Sequence, residues 1–309
     1  MKTRLELPGY EELCIEQAPV QARKAHSRGL NEYSYSYFFS GQDHTPPRSS
    51  SVTDMLRPYC PESDEIVTLQ GVLRGLSAAS GGRPVSWTDM CGGRGVALRQ
   101  LALQPELAGK FILTNVDLFD FSKTDKRSMR TATLEQEYPG IFSDEAAPRL
   151  ILADATTVEL SQPADIITSV ESPQYLHHPL AAICNWYNQL RGNGLLLVST
   201  EHKWDSRIGY MGDGSMTPTE VTPPAHLLQE LSAKAITHAA TSEYDYADGR
   251  RPDLKPGAFR TLAVRKEPGT RMVVNSTPLA CGVDGRGDNY KTVHYHLPDG
   301  RPPVEIVAA

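Results

Sequence analysis

The chain has 309 residues, with 31 Lys and Arg against 37 Asp and Glu, a formal net charge of -6, and 39% hydrophobic residues. That is enough for one large domain, or one domain with appendages, and for a buried core, so disorder throughout is excluded. No run of about 18 apolar residues is present to span a membrane, the charged segment 1–19 is unlike a secretory signal, and the mildly acidic balance argues against the wide Lys and Arg footprint that duplex nucleic acid demands. The five cysteines, Cys14, Cys60, Cys91, Cys184 and Cys281, form no C-x-x-C pair. Neither a zinc knuckle nor a disulfide framework is indicated, and the expectation is a reduced, cytoplasmic protein without a metal site.

Residues 1–61 show an amphipathic period only over 11–24, and 42–51 is a Pro- and Ser-rich linker, so this stretch reads as an N-terminal helical appendage or lid. Its aromatic run at 31–39 anchors the appendage to the core or closes over a ligand. Apolar positions at helical spacing predict a helix over 65–77, stopped by Gly81-Gly82 and Pro84. A strand at 85–90 then runs into a glycine turn at 91–95 and a helix at 96–103. Further strands are predicted at 111–116, ending in Asp117, at 150–153, ending in Asp154, and at 164–170. A helix at 180–190 follows, stopped by Gly192-Asn193-Gly194, and then a strand at 195–200. A helix at 224–232 and strands at 235–241 and 259–264 complete the alternation. Strands alternating with helices require right-handed crossovers, hence an α/β fold with a doubly wound, mostly parallel, seven-stranded sheet over 62–269. Residues 270–309 read as a C-terminal β extension with a hairpin around 298–300.

The chemistry concentrates in Asp89-Met90-Cys91-Gly92-Gly93-Arg94-Gly95. A glycine turn between strand and helix lets backbone approach a ligand closely, and the helix offers free N–H groups to an anionic group. No G-K-[ST] follows, so a nucleoside triphosphate loop fails, and the glycines do not give G-x-G-x-x-G. The acids narrow the choice. Asp89 precedes the turn, Asp117 ends the second strand, and Asp154 ends the third, an arrangement suited to one nucleoside ligand whose ribose diol is held by the second acid. Helix caps or solvated turns are the plain alternative for Asp117 and Asp154.

These residues resemble the class I S-adenosylmethionine-dependent methyltransferases over about 62–266. The family's first motif is an acid, one residue, then G-x-G-x-G; here Cys91 stands where the first glycine usually is. The resemblance implies the Rossmann-like methyltransferase fold and S-adenosyl-L-methionine as cofactor. It implies that Gly93 and Gly95 pass beneath the methionine portion, that Asp89 orients its amino group, and that Asp117 holds the ribose. Asp154, with Ala155, would flank the adenine. The segment from Asp165 through Val170 and Glu171 to His177 and His178 resembles the fourth motif, which lines the sulfonium and the acceptor, and 190–195 resembles the turn before the fifth strand. The chain lacks the Pro-Cys pair of the cytosine-modifying relatives and the Lys-Asp-Lys-Glu set of the ribose-modifying ones. Ser172-Pro173-Gln174-Tyr175 differs by one residue from the [DNS]-P-P-[YF] element of amino-methylating enzymes.

Methyl transfer needs alignment of acceptor and methyl and, for a hydroxyl acceptor, removal of a proton. His177, His178 and His202, with Glu171, directly follow the fourth and fifth strands and are the candidate proton acceptors; as helix caps or exposed residues they have no catalytic part. Arg94 is read as a surface charge or as a partner for the cofactor carboxylate, and Arg250, Arg251, His294 and His296 as solvated surface. The function expected is methyl transfer to an oxygen or nitrogen of a small-molecule acceptor, in specialised metabolism. The alternatives are an RNA or protein methyltransferase, and a cofactor-binding relative that transfers no methyl. No membrane partner is expected, nucleic acid is disfavoured, and a homo-oligomer is left open.

Overall fold

The computed structural model describes residues 69–105, 108–118, 120, 134–136, 138–170, 172–176, 178–201, 208–211, 239–244, 259–283, 291–296 and 302–309. The appendage at 1–61 with its aromatic run, the linker, the helix at 224–232, Arg250, Arg251, the turn at 298–300, and Glu171, His177 and His202 lie outside the described residues.

Three helices, α1 (Leu69–Ala79), α2 (Val96–Ala102) and α3 (Pro179–Asn188), accompany one large sheet among the described residues. Its strands are β1 (Val85–Met90), β2 (Phe111–Asp117), β3 (Arg149–Leu152), β4 (Ala164–Val170), β5 (Leu190–Glu201), β7 (Ala239–Tyr244) and β8 (Phe259–Arg265). They lie in the order β3-β2-β1-β4-β5-β8-β7. The first five run parallel, and β8 is antiparallel to both of its neighbours, so the sheet is mostly parallel with one reversed strand. The order reverses between β1 and β4, where crossovers leave in opposite directions and a crevice opens at the carboxyl ends. β4 (ADIITSV) is buried at every position but the last, as expected of a central parallel strand covered on both faces. Trp87, Ile166, Ile167, Leu195, Leu196, Leu197 and Val198 are wholly buried in this centre.

At the amino edge the sheet is clamped by charge. Arg83 forks onto Asp165, its two amino groups 2.6 and 2.5 Å from the carboxylate oxygens, and the Ser86 N–H adds a third bond at 2.9 Å. Burial works against the Asp165 carboxylate, but the Arg83 fork and the Ser86 N–H outweigh it and hold the carboxyl below its ordinary value.

The glycines at 192–194 differ from the sequence reading. α3 ends at Asn188, and 192–194 fall inside β5, which begins at Leu190. Asn193, with φ of 68°, bends the strand, its N–H donates to Lys266 O, and Lys266 N–H returns to Gly194 O. What terminates α3 is Lys266, whose Nζ donates to the carbonyls of Asn188 and Leu190 at 2.8 and 2.9 Å.

The C-terminal residues form two small sheets. β9 (Thr270–Val274) pairs with β12 (Val304–Ala308), and β10 (Thr277–Val283) pairs with β11 (Lys291–His296), which also pairs with β6 (Ile208–Met211) from beyond β5. The expected hairpin around 298–300 is therefore not made: β11 and β12, its two arms, belong to different sheets. β9 is fastened to α3, since the Asn188 side chain both accepts from Met272 N–H at 2.7 Å and donates to Met272 O at 2.8 Å.

Replacing Lys266 by Met keeps the buried stem and removes its bonds to the carbonyls of Asn188, at the end of α3, and Leu190, at the start of β5. Its unfolding midpoint in urea is expected to fall by an amount worth about 1 to 3 kcal/mol. An unchanged midpoint removes the lysine cap from the account.

Candidate functional site

β1 enters the crevice at Asp89, which is 4% exposed. Asp89 lies in register between Asn115 of β2 and Thr168 of β4, so the pleat sets three polar side chains in a row on one face of an otherwise apolar sheet. Thr168 Oγ1 donates to Asp89 Oδ1 at 2.8 Å and accepts from the Trp87 indole N–H at 3.1 Å. Asn115 Nδ2 donates to Gly93 O at 2.9 Å, while its Oδ1 is buried without a partner among the described residues. Burial pushes the Asp89 carboxyl up to about 7, the Thr168 hydrogen bond opposing this and the Asp117 charge adding to it.

The turn that follows is built by alternation. Cys91, Gly93 and Gly95 have φ of 58, 57 and 68°, all left-handed. Gly92 is required for a different reason: a Cβ there would collide with Asn115 Oδ1 and stand 2.7 Å from Asp89 Oδ2. Cys91 thus adopts, with a side chain, the conformation that its glycine-like place in the pattern demands, at a cost of about 1 kcal/mol. Burial first, then the charges of Asp117, Asp154 and Asp89, raise its thiol well above the ordinary value, against a hydrogen bond from Ser172. Cys91 is therefore a neutral thiol and not an activated nucleophile.

Asp117, 8% exposed at the end of β2, accepts the Gly93 N–H at 2.9 Å. The Gly93 amide is thus taken by the protein's own carboxylate, and the charges of three acids act on the turn at Cys91. Asp154 Oδ1 accepts the Thr156 N–H at 2.8 Å, so this acid also shapes its own turn. Ala155 is 3% exposed and its carbonyl accepts the Trp186 indole at 2.7 Å. Val170 ends β4, half-buried, beside Ser199 of β5. Arg94 is neither a surface charge nor aimed at solvent: it is 8% exposed, its guanidinium 3.8 Å from the centre of the Phe142 ring.

Asp89, Cys91, Gly93, Gly95 and Asp117 are thus brought together at the turn, and Asp154 is near enough for its charge to act on Cys91. Asn115, Thr168 and Gly92 belong to the same group and were not singled out from the sequence. The signal for Asn115 was there, two residues before Asp117 and hence on the same face of β2.

His178 stands differently from its reading as a proton acceptor. It is wholly buried at the N-cap of α3, where Nδ1 lies 3.1 Å from Tyr295 Oη and accepts the Ala181 N–H at 3.4 Å. Burial lowers it to about 3, so it is neutral at any working pH and a poor base. Among the described residues no group of three or more His, Cys, Asp and Glu is placed to hold a metal ion, and no helix is long and apolar enough to cross a membrane.

No family model and no curated protein matches the chain. Solved structures do. One is the 1,6-didemethyltoxoflavin-N1-methyltransferase of Burkholderia thailandensis with 1,6-didemethyltoxoflavin and S-adenosylhomocysteine bound, at 16% identity over 86% of this chain and 93% of that one, TM-score 0.38. Another is the [4+2]-cyclase SpnF, at 14% identity over 87% and 100%, TM-score 0.39. A third is the N-methyltransferase NodS of Bradyrhizobium japonicum WM9, at 16% identity over 63% and 92%, TM-score 0.34. At these scores the fold class rests on the chain's own strand order and its one reversed strand, which make a Rossmann-like methyltransferase fold.

Two outcomes are expected of substitutions here. Cys91→Gly relieves the left-handed side chain and leaves stability equal or about 0.5 to 1 kcal/mol higher, whereas Cys91→Val lowers it, as read by thermal unfolding. The second concerns pH. Asp89, raised from 3.8 to about 7, contributes stability that is complete below 3.8 and lost as pH rises through 7. His178, lowered from 6.5 to about 3, contributes stability that is complete above 6.5 and lost as pH falls towards 3. Over roughly pH 4 to 6.5 the two slopes, each about 1.4 kcal/mol per pH unit, oppose one another. Asp89→Asn should leave stability rising with pH across that window, and His178→Asn should leave it falling. Parallel profiles for the two variants would refute both assignments.

Proposed function

We propose that the turn at 91–95 holds S-adenosyl-L-methionine and that the protein transfers its methyl group to an oxygen or nitrogen of a small molecule. The observation that carries this reading is the gathering of Asp89, Asp117 and Asp154 around a turn whose own amide is already occupied, with Asp89 buried enough to resist ionisation. Such a site repels phosphate and favours a cationic ligand with a diol. The residues fit the group on a further count: the buried Asn115 Oδ1 beside the turn has no donor among the described residues.

When bound, the cofactor supplies an activated methyl on a sulfonium. Everything else falls to the chain. Asp117 hydrogen-bonds the ribose hydroxyls while steadying Gly93, and Asp89, on losing its proton, balances the cationic amino group. Asp154 and Ala155 border the adenine, and Val170 borders the sulfonium. Residues 171–178 and 202 supply the acceptor side, with Glu171, His177 or His202 taking the proton where the acceptor is a hydroxyl. The acidic net charge supports a small acceptor over nucleic acid, and the absence of C-x-x-C pairs supports a reduced, cytoplasmic setting.

Calorimetric titration with S-adenosylhomocysteine tests the reading. The wild-type chain should bind; Asp117→Ala should lose at least about tenfold in affinity, two hydrogen bonds to a carboxylate being worth roughly 1.5 to 3 kcal/mol each. Gly93→Val should not bind, because its φ of 57° excludes a branched side chain. No binding by the wild-type chain, or Asp117→Ala binding as well as wild type, overturns the assignment.

A further inference from the structure

The first turn of α3 leaves little freedom to the hydrogen atoms of His178. Pro179 has no N–H, so the helix presents two donors before its first internal bond, the Leu180 and Ala181 amides. Leu180 N–H donates to Tyr295 Oη at 3.3 Å, and Ala181 N–H points at His178 Nδ1 at 3.4 Å. The third N–H, that of Ala182, donates to the His178 carbonyl at 3.1 Å. A backbone amide can only donate, so His178 Nδ1 must carry a lone pair and no proton. Tyr295 Oη accepts from Leu180 and lies 3.1 Å from the same nitrogen, within reach to donate to its lone pair. The imidazole proton is therefore on Nε2, and that N–H is buried with no acceptor among the described residues. An unsatisfied buried donor is costly, and such atoms cluster where a ligand completes the bond.

The position agrees. β4 ends at Val170, and the chain then passes through Ser172, whose hydroxyl bonds Ser169 Oγ and donates to Met90 O, and through a tight turn at Pro173–Tyr175 before reaching His178. That path runs along the carboxyl end of the sheet beside the turn at 91–95. β11, which carries Tyr295, pairs with β6, the strand that follows β5 in the chain.

We propose that Tyr295 is a positioning residue: with the Ala181 amide it fixes His178 as a neutral Nε2–H donor, which binds an oxygen lone pair of the acceptor molecule. His178 then serves the transfer as a hydrogen-bond donor and never as its base. The donor role rests on the proposed methyl transfer; the tautomer does not.

The test uses the full chain with 15N-labelled histidine. The His178 ring nitrogens should show a protonated Nε2 and a bare Nδ1, unchanged from about pH 5 to 8, and Tyr295→Phe should give a mixture of tautomers. A bare Nε2, or a midpoint inside that range, overturns the proposal whatever the protein binds. For the donor, S-adenosylhomocysteine release is followed with a low-molecular-weight metabolite extract as acceptor source. His178→Asn retains a good N-cap for Ala181 but has no donor in the place of Nε2; His178→Gln restores an N–H at that reach. Asn is expected to fold, to bind S-adenosylhomocysteine as wild type does, and to lose at least tenfold in turnover, with Gln recovering part. Wild-type turnover in the Asn variant makes His178 a cap only and sinks the donor role. Failure of the wild-type chain to bind S-adenosylhomocysteine sinks the methyl-transfer reading instead and leaves the tautomer result standing.

Discussion

A carboxylate buried at the tip of the central strand sets the terms for everything near it. Asp89 sits where the strand order reverses, the place at which a parallel sheet has an open crevice, yet it is nearly sealed from water. A charge there is affordable only with a partner, and β4 provides it in Thr168, itself held by Trp87, while Asn115 of β2, held by Gly93 O, stands beside Asp89 in register. The same row forces the loop geometry. Asn115 and Asp89 rise so close beneath residue 92 that only glycine fits, and the chain then escapes by placing every second residue, Cys91, Gly93 and Gly95, in the left-handed region.

The electrostatics of the turn follow from that crowding. Asp117 and Asp154 come from the next two strand ends, and their charges act on Cys91 together with that of Asp89. The Gly93 amide, two residues before the N-cap of the short helix α2, is already bonded to Asp117. A loop that looks like a phosphate cradle by glycine content is thus acidic in effect. Two opposite pH dependences are built into the same end of the sheet, Asp89 resisting ionisation and His178 resisting protonation, each because burial disfavours the charged form.

Much of this was legible in the residues. The strand at Val85–Met90 and that at Ala164–Val170 match their predicted bounds, because β-branched and aromatic residues there are bounded by glycine or by Pro and Asp. The loop residues and Asp117 were legible through spacing alone. The glycines at 192–194 were misread as a helix stop because nothing local reveals Lys266, 78 residues from Asn188, capping α3 in their stead. The hairpin at 298–300 was misread because turn chemistry is local while strand pairing is not: β11 found β10 and β6, and β12 found β9. Arg94 looked like surface because its partner ring, Phe142, comes from a distant loop.

His178 is the plainest case of a residue whose type was read correctly and whose role was not. As an imidazole just past the fourth strand, it has the chemistry of a base near neutral pH. What removes that chemistry is burial, the ring being wholly enclosed with Tyr295, 117 residues further on, 3.1 Å from its Nδ1. Pro179 matters as much: by removing one amide it leaves two donors, one for the tyrosine oxygen and one for the imidazole, so that helix end, ring and C-terminal strand share a single set of hydrogen bonds. The C-terminal β strands are therefore tied to the working end of the sheet by the same atoms that decide where the His178 proton lies.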